Sequence, residues 1–107
     1  MRILVVGAYG LIGSGVVQRL ERDGHKVIGL GRDLGAGQRV LPNISWRSSD
    51  LRSLTEANAW RPFLQDIDVV VNCSGALQDG PDDNLEVVHH HAVLALALAC
   101  VSADVKI

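Results

Sequence analysis

The chain has 107 residues, of which 48% are hydrophobic, and a formal net charge of -2. That is one domain's worth of chain with enough apolar material for a core. Acids and bases are interspersed without a basic stripe, which speaks against nucleic acid as the main partner. The apolar stretch Ala92 to Val101 falls far short of the roughly 20 residues a membrane span needs. Cys73 and Cys100 lack a CxxC spacing, so buried free thiols in a reducing cytoplasm are expected.

Met1-Arg2 precedes an aliphatic run, as in a signal peptide. Glycines at 7, 10, 13 and 15 punctuate the next stretch, and no small-x-small cleavage site appears. Ile3 to Val6 therefore reads as a strand, and its unbroken aliphatic character predicts cover on both faces. Leu11 to Arg22 carries Ile12, Val16, Val17 and Leu20 near helical spacing. Gly24 stands where a helix commonly stops in a left-handed turn. Lys26 to Leu30 reads as a second strand. Gly31 to Asn43 holds three glycines and a proline, which predicts loop or frayed helix for most of it.

Ile44 to Arg47 is a short third strand. Ser53-Leu54-Thr55-Glu56 fits a capping box, predicting a helix from Leu54 to about Trp60. Pro62 should break or restart it, since a mid-helix proline costs roughly 3 kcal/mol. Val69 to Val71 is the fourth strand, and Gln78 to Asn84 a polar loop. In Leu85 to Val101 leucines alternate with alanines, a strand-like period. Alanine favours helices and the run is long for a strand, so a helix is expected. Val105 to Ile107 reads as the start of a fifth strand. The order predicts a Rossmann-type, doubly wound parallel α/β sheet, with the sequence stopping inside that strand. The expectation is a single domain that is the N-terminal fragment of a longer protein.

Gly7-Ala8-Tyr9-Gly10-Leu11-Ile12-Gly13 lies where the first strand gives way to the first helix. Gly7 permits a tight turn, Gly10 offers no Cβ to an approaching pyrophosphate, and Gly13 lets the helix pack closely on the strand. The first-turn amides and the positive end of the helix dipole then face the anion. Glycines also punctuate turns that bind nothing; strand before and helix after are what favour a dinucleotide here.

The spacing is G-x-x-G-x-x-G rather than G-x-G-x-x-G. With Arg32 after the second strand, Asp50-Leu51 after the third and Asn72-Cys73-Ser74-Gly75-Ala76 after the fourth, the chain resembles the short-chain dehydrogenase/reductase superfamily. The likeness is to its extended and atypical branches, the epimerase/dehydratase-like and NmrA-like proteins, and covers essentially all of the sequence. The resemblance implies NADP (or NAD) as cofactor, held by Gly7, Tyr9, Gly10, Leu11, Ile12, Gly13, Arg32, Asp50, Leu51, Cys73, Ser74, Gly75 and Ala76. An arginine at the tip of the second strand can grip a 2′-phosphate and stack on adenine, which points to NADP. Asp33 turned inward would favour NAD instead, and Arg32 could equally be an ordinary surface residue; Arg39 is a second cation nearby. Asp50 would accept from the adenine amine with Leu51 packed beside it, or simply cap the next helix. Gly75 and Ala76 are small enough to let the cofactor pass, while Cys73 and Ser74 depart from the family's Asn-Asn-Ala-Gly segment. Cys73 reads as a small buried hydrophobe, not a nucleophile.

His89-His90-His91 points in directions about 100° apart along a helix and cannot converge on one metal ion. Trp46 and Trp60 read as packing residues, and Tyr9 as a local shield of the phosphates. Enzymes of the resembled family carry a Tyr-x-x-x-Lys pair beyond the fifth strand. Here the only tyrosine is Tyr9 and the only lysines are Lys26 and Lys106, so this stretch alone is expected to bind cofactor without turning over substrate. The longer protein is expected to be an oxidoreductase or epimerase taking a small-molecule substrate. A non-catalytic NAD(P)-binding sensor or assembly protein is the alternative, and a homo-oligomer stays open.

Overall fold

The computed structural model describes residues 1–8, 11–31, 34–49, 53–73 and 85–107, the side chains of residues 11 and 85–89 excepted. Among the described residues four strands and four helices alternate: β1 Arg2–Val6, α1 Leu11–Arg22, β2 Lys26–Gly31, α2 Leu34–Val40, β3 Ser45–Ser48, α3 Ala57–Leu64, β4 Val69–Asn72 and α4 Leu85–Ala103. All pairings are parallel, in the order β3-β2-β1-β4. Lys106 makes a further parallel bridge to Val69, at the position expected for a fifth strand.

The aliphatic run of β1 is explained by its two covered faces. Leu4 and Val6 join Ile28, Leu30 and Val70 beneath Trp60 and Leu64 of α3 and Ala92, Ala95, Leu96, Ala99 and Cys100 of α4. Ile3 and Val5 face the other way, with Val27, Val17 of α1 and Leu41. Successive strand residues point to opposite faces, so a strand buried on both cannot alternate apolar with polar. The sheet is doubly wound, as the element order implies.

Helix ends follow backbone chemistry. α1 stops at Gly24 (φ 88°), with His25 N–H donating to Leu20 C=O at 3.1 Å and Gly24 N–H to Glu21 C=O at 3.0 Å. This is the paired closure of a left-handed helix stop. α4 ends in the same way at Asp104 (φ 57°), where Val105 N–H reaches Cys100 C=O at 2.9 Å. An aspartate stands there in the role glycine usually takes.

Of loop or frayed helix, the stretch after β2 takes the helix: seven residues of it form α2, with Gly37 buried. One expectation fails. The third helix begins at Ala57 rather than Leu54, its N-cap is Glu56 without a side-chain capping bond, and Pro62 lies inside it. Leu54 is held outside the helix because its carbonyl accepts the buried Trp60 indole N–H at 2.9 Å, a group that also reaches Ala92 C=O at 3.1 Å. Pro62 is tolerated because it sits on the exposed side, as does Asn58, whose carbonyl lacks that donor. The helix is anchored by Trp60 and Leu64 on its opposite, buried side. The Pro62 carbonyl accepts Arg47 Nη1 at 3.0 Å. β3 is shifted one residue later than expected, β1 begins one earlier, and β2, β4 and α4 run slightly further. No helix among the described residues is long and apolar enough to cross a membrane.

Candidate functional site

The chain runs outward from β1 to β2 and β3, then returns to place β4 on the other side of β1. The carboxyl ends of β1 and β4 therefore flank a topological switch point, where the two connections leave in opposite directions and open a crevice. Gly7 lies at the end of β1 with φ 75°, a conformation in which an L side chain is strained. Its N–H donates to Leu30 C=O at 3.0 Å, fastening the turn to β2. Cys73 directly follows β4 on the other side, its N–H donating to Val6 C=O at 2.8 Å.

α1 begins at Leu11, directly after this turn. Gly13 is buried in it, and a Cβ added there would fall on the Gly7 carbonyl oxygen and lie 3.0 Å from Ala8 Cα. The helix thus approaches the strand end closely enough to exclude any side chain at this position. Ala8 is itself fully buried beneath the contact. The sequence singled out Gly13 but not Ala8; a small residue directly after the turn glycine was the available signal. Ile12, one residue earlier, is 61% exposed. The first turn of α1 holds no acidic residue, so no carboxylate within that turn offsets the helix's positive end.

Of the residues expected at a cofactor site, Gly7, Leu11, Ile12 and Gly13 come together at the carboxyl end of β1, and Cys73 at the end of neighbouring β4. Tyr9, Gly10, Arg32, Asp50, Leu51, Ser74, Gly75 and Ala76 lie outside the described residues, as does the stretch Gln78 to Asn84, expected to be a polar loop. Their chain neighbours place the entry to these segments on the same side of the sheet. Gly31 ends β2, and Ser49 follows β3 with its N–H bonded to Gly31 C=O at 3.1 Å. Cys73 is half-buried and free, and burial pushes its thiol up from the ordinary value, the opposite of what a nucleophile needs. His90 and His91 are exposed on α4, with ring centroids 6.1 Å apart.

The sequence model of the NAD dependent epimerase/dehydratase family matches residues 3–107. The chain belongs to that family. No curated protein matches it. Among solved structures it is similar to UDP-N-acetylglucosamine 4-epimerase from Bacillus cereus, at 24% identity and a TM-score of 0.74 over 98% of this chain and 35% of that one. It is similar to the Bordetella bronchiseptica enzyme WbmG, solved with NAD, at 23% identity and a TM-score of 0.80 over 99% and 35%. Yeast methylglyoxal/isovaleraldehyde reductase Gre2, solved with NADPH, matches at 21% identity and a TM-score of 0.71 over 95% and 33%. At these identities the likeness is one of fold, the NAD(P)-binding epimerase/dehydratase-like fold. The chain spans about a third of the length of these three proteins.

Proposed function

We propose that residues 1–107 are the NAD(P)-binding domain of an epimerase- or oxidoreductase-type enzyme, and that the cofactor pyrophosphate rests against the start of α1. The observation that carries this is the pairing of Gly7 at positive φ with a Gly13 whose Cβ would strike the Gly7 carbonyl. Such a pair brings the start of α1 directly against the carboxyl end of β1, at the crevice where diphosphates bind in parallel α/β sheets. Family membership and the NAD and NADPH held by WbmG and Gre2 support the same ligand class. The cradle fits a dinucleotide on that ground.

Gly7, Gly10, Leu11, Ile12 and Gly13 would hold the diphosphate, Arg32 the adenosine ribose, Asp50 and Leu51 the adenine, with Tyr9, Cys73, Ser74, Gly75 and Ala76 lining the remaining path. When bound, the nicotinamide accepts or returns a hydride. Arg32 makes the domain prefer NADP, because a guanidinium pairs bidentately with a 2′-phosphate. Two free thiols suit a reducing, cytoplasmic setting. Substrate is a small molecule handled outside these 107 residues.

Calorimetric titration with NADPH and NADH tests the reading. Saturable one-to-one binding is expected, with NADPH the tighter ligand and Arg32→Ala removing most of that difference. A folded protein that takes up neither nucleotide overturns the proposal, and an unchanged ratio in Arg32→Ala removes the arginine's role.

A further inference from the structure

Only Arg32 and Asp33 join the end of β2 at Gly31 to the start of α2 at Leu34. One side chain from a third element holds both sides of that link. Trp46, in edge strand β3, pairs in register with Gly29 of β2. A Cβ at Gly29 would lie 2.6 Å from Trp46 Cζ3, and one at Gly37 of α2 would lie 2.9 Å from Cδ2, Cε2 and Cε3 of the same indole. The ring occupies a slot whose two walls are glycines, one in the middle of a strand and one inside a helix. The indole Nε1 then donates to Leu41 C=O at 3.0 Å, just past the end of α2, while Leu41 N–H is bonded to Gly37 C=O at 2.8 Å.

Glycine inside a helix or strand costs roughly 0.5–1 kcal/mol relative to alanine, so two of them facing one ring oppose the local preferences of α2 and β2. What they allow is an aromatic plane fitted directly between the two backbones. Neither element can shift along or away from the other without losing the ring contact or the Leu41 bond.

We infer that Trp46 is a positioning residue for cofactor choice: by locking α2 against β2 it holds Gly31 and Leu34, the two flanks of Arg32 and Asp33, in one relative placement, and so favours the nucleotide with a 2′-phosphate. This rests on the cofactor-site reading above and adds to it the residue that sets Arg32's frame. A tryptophan that served packing alone would change stability and leave the ratio of the two affinities alone.

The experiment measures dissociation constants for NADPH and NADH in the full chain carrying Trp46→Ala, Trp46→Phe, Gly37→Ala or Arg32→Ala. Trp46→Ala is expected to weaken NADPH about tenfold and NADH by less than about twofold. Trp46→Phe still fills the slot and is expected to keep most of the preference. Gly37→Ala retains the tryptophan and favours the helix, so it keeps the test open if Trp46→Ala does not fold. Its Cβ pushes on the indole, and the NADPH-to-NADH ratio is expected to drop. Equal losses for both nucleotides, or an unchanged ratio in Trp46→Ala and Gly37→Ala, overturns the inference. If Arg32→Ala collapses the ratio while the Trp46 and Gly37 variants do not, the positioning role alone fails. If Arg32→Ala leaves the ratio unchanged, both readings fall.

Discussion

Gly13→Ala adds a single methyl group to the contact on which the site is built. The new Cβ would land on the Gly7 carbonyl oxygen and press on Ala8 Cα and Gly7 C, each at 3.0 Å. All of these are backbone atoms, so no rotamer change relieves the clash and α1 must lift from the end of β1. Overpacking of this kind costs about 1–3 kcal/mol, and backbone on the receiving side argues for the upper end. Alanine returns up to about 1 kcal/mol of helix propensity, leaving a net loss of about 2 kcal/mol. Gly15, in the same helix, is exposed and has nothing within 4 Å of an added Cβ. Gly15→Ala should therefore raise stability by up to about 1 kcal/mol. Denaturant unfolding followed by circular dichroism compares the two directly. Opposite signs are expected, with NADPH affinity lost only in Gly13→Ala. If both variants gain stability, the close approach of α1 to β1 is not what the structure implies.

Trp60→Phe removes the donor shared by Leu54 and Ala92 carbonyls. Leu54 C=O loses its indole donor, while Ala92 C=O keeps its partner inside α4, so a loss of about 1–2 kcal/mol is expected in unfolding free energy with nucleotide affinity unchanged; an unaltered unfolding midpoint would argue against the bridge. Burial holds the proton on the Cys73 thiol above its ordinary value of 9.0. Burial thus favours the neutral form in the folded chain, so the thiol's contribution to stability is whole below the ordinary thiol range. It is lost as pH climbs through the raised value. Alkylation of Cys73 should accordingly run slower than that of a small free thiol at about pH 8, where such thiols already ionise in part, and accelerate at higher pH. Faster alkylation than the free thiol would contradict the buried setting.

Much of this architecture is readable from local signals. The unbroken Ile3–Val6 and Val69–Val71 runs, the glycine turn between strand and helix, and Gly24 as a helix stop each arise from chemistry within a few residues. The alanines of α4 outweigh its strand-like alternation, because a helix covered on one side by α3 and the sheet can present small residues there. The features that stay hidden are set by distant partners. The start of α3 depends on an indole that reaches Leu54 and, 32 residues away, Ala92, so the Ser53–Glu56 pattern loses to a tertiary bond. α2 forms despite Gly35 and Gly37, with Trp46 packed against Gly37, a contact made across the turn between α2 and β3 rather than within the helix. At the candidate site, the roles of Gly7 and Gly13 were legible from strand-turn-helix context, whereas the need for a small buried Ala8 emerges only from how near α1 comes to it.

A dinucleotide is expected to touch the chain at the turn after β1 and the start of α1. Amide chemical-shift mapping of the isotope-labelled protein during NADPH addition reads that contact residue by residue. The largest shifts are expected at Gly7, Ala8 and Leu11 to Gly13, with smaller ones at Gly31 and Cys73. Shifts confined to Arg2, Lys26 and Asp68 at the opposite ends of the strands, or none at saturating nucleotide, would contradict it.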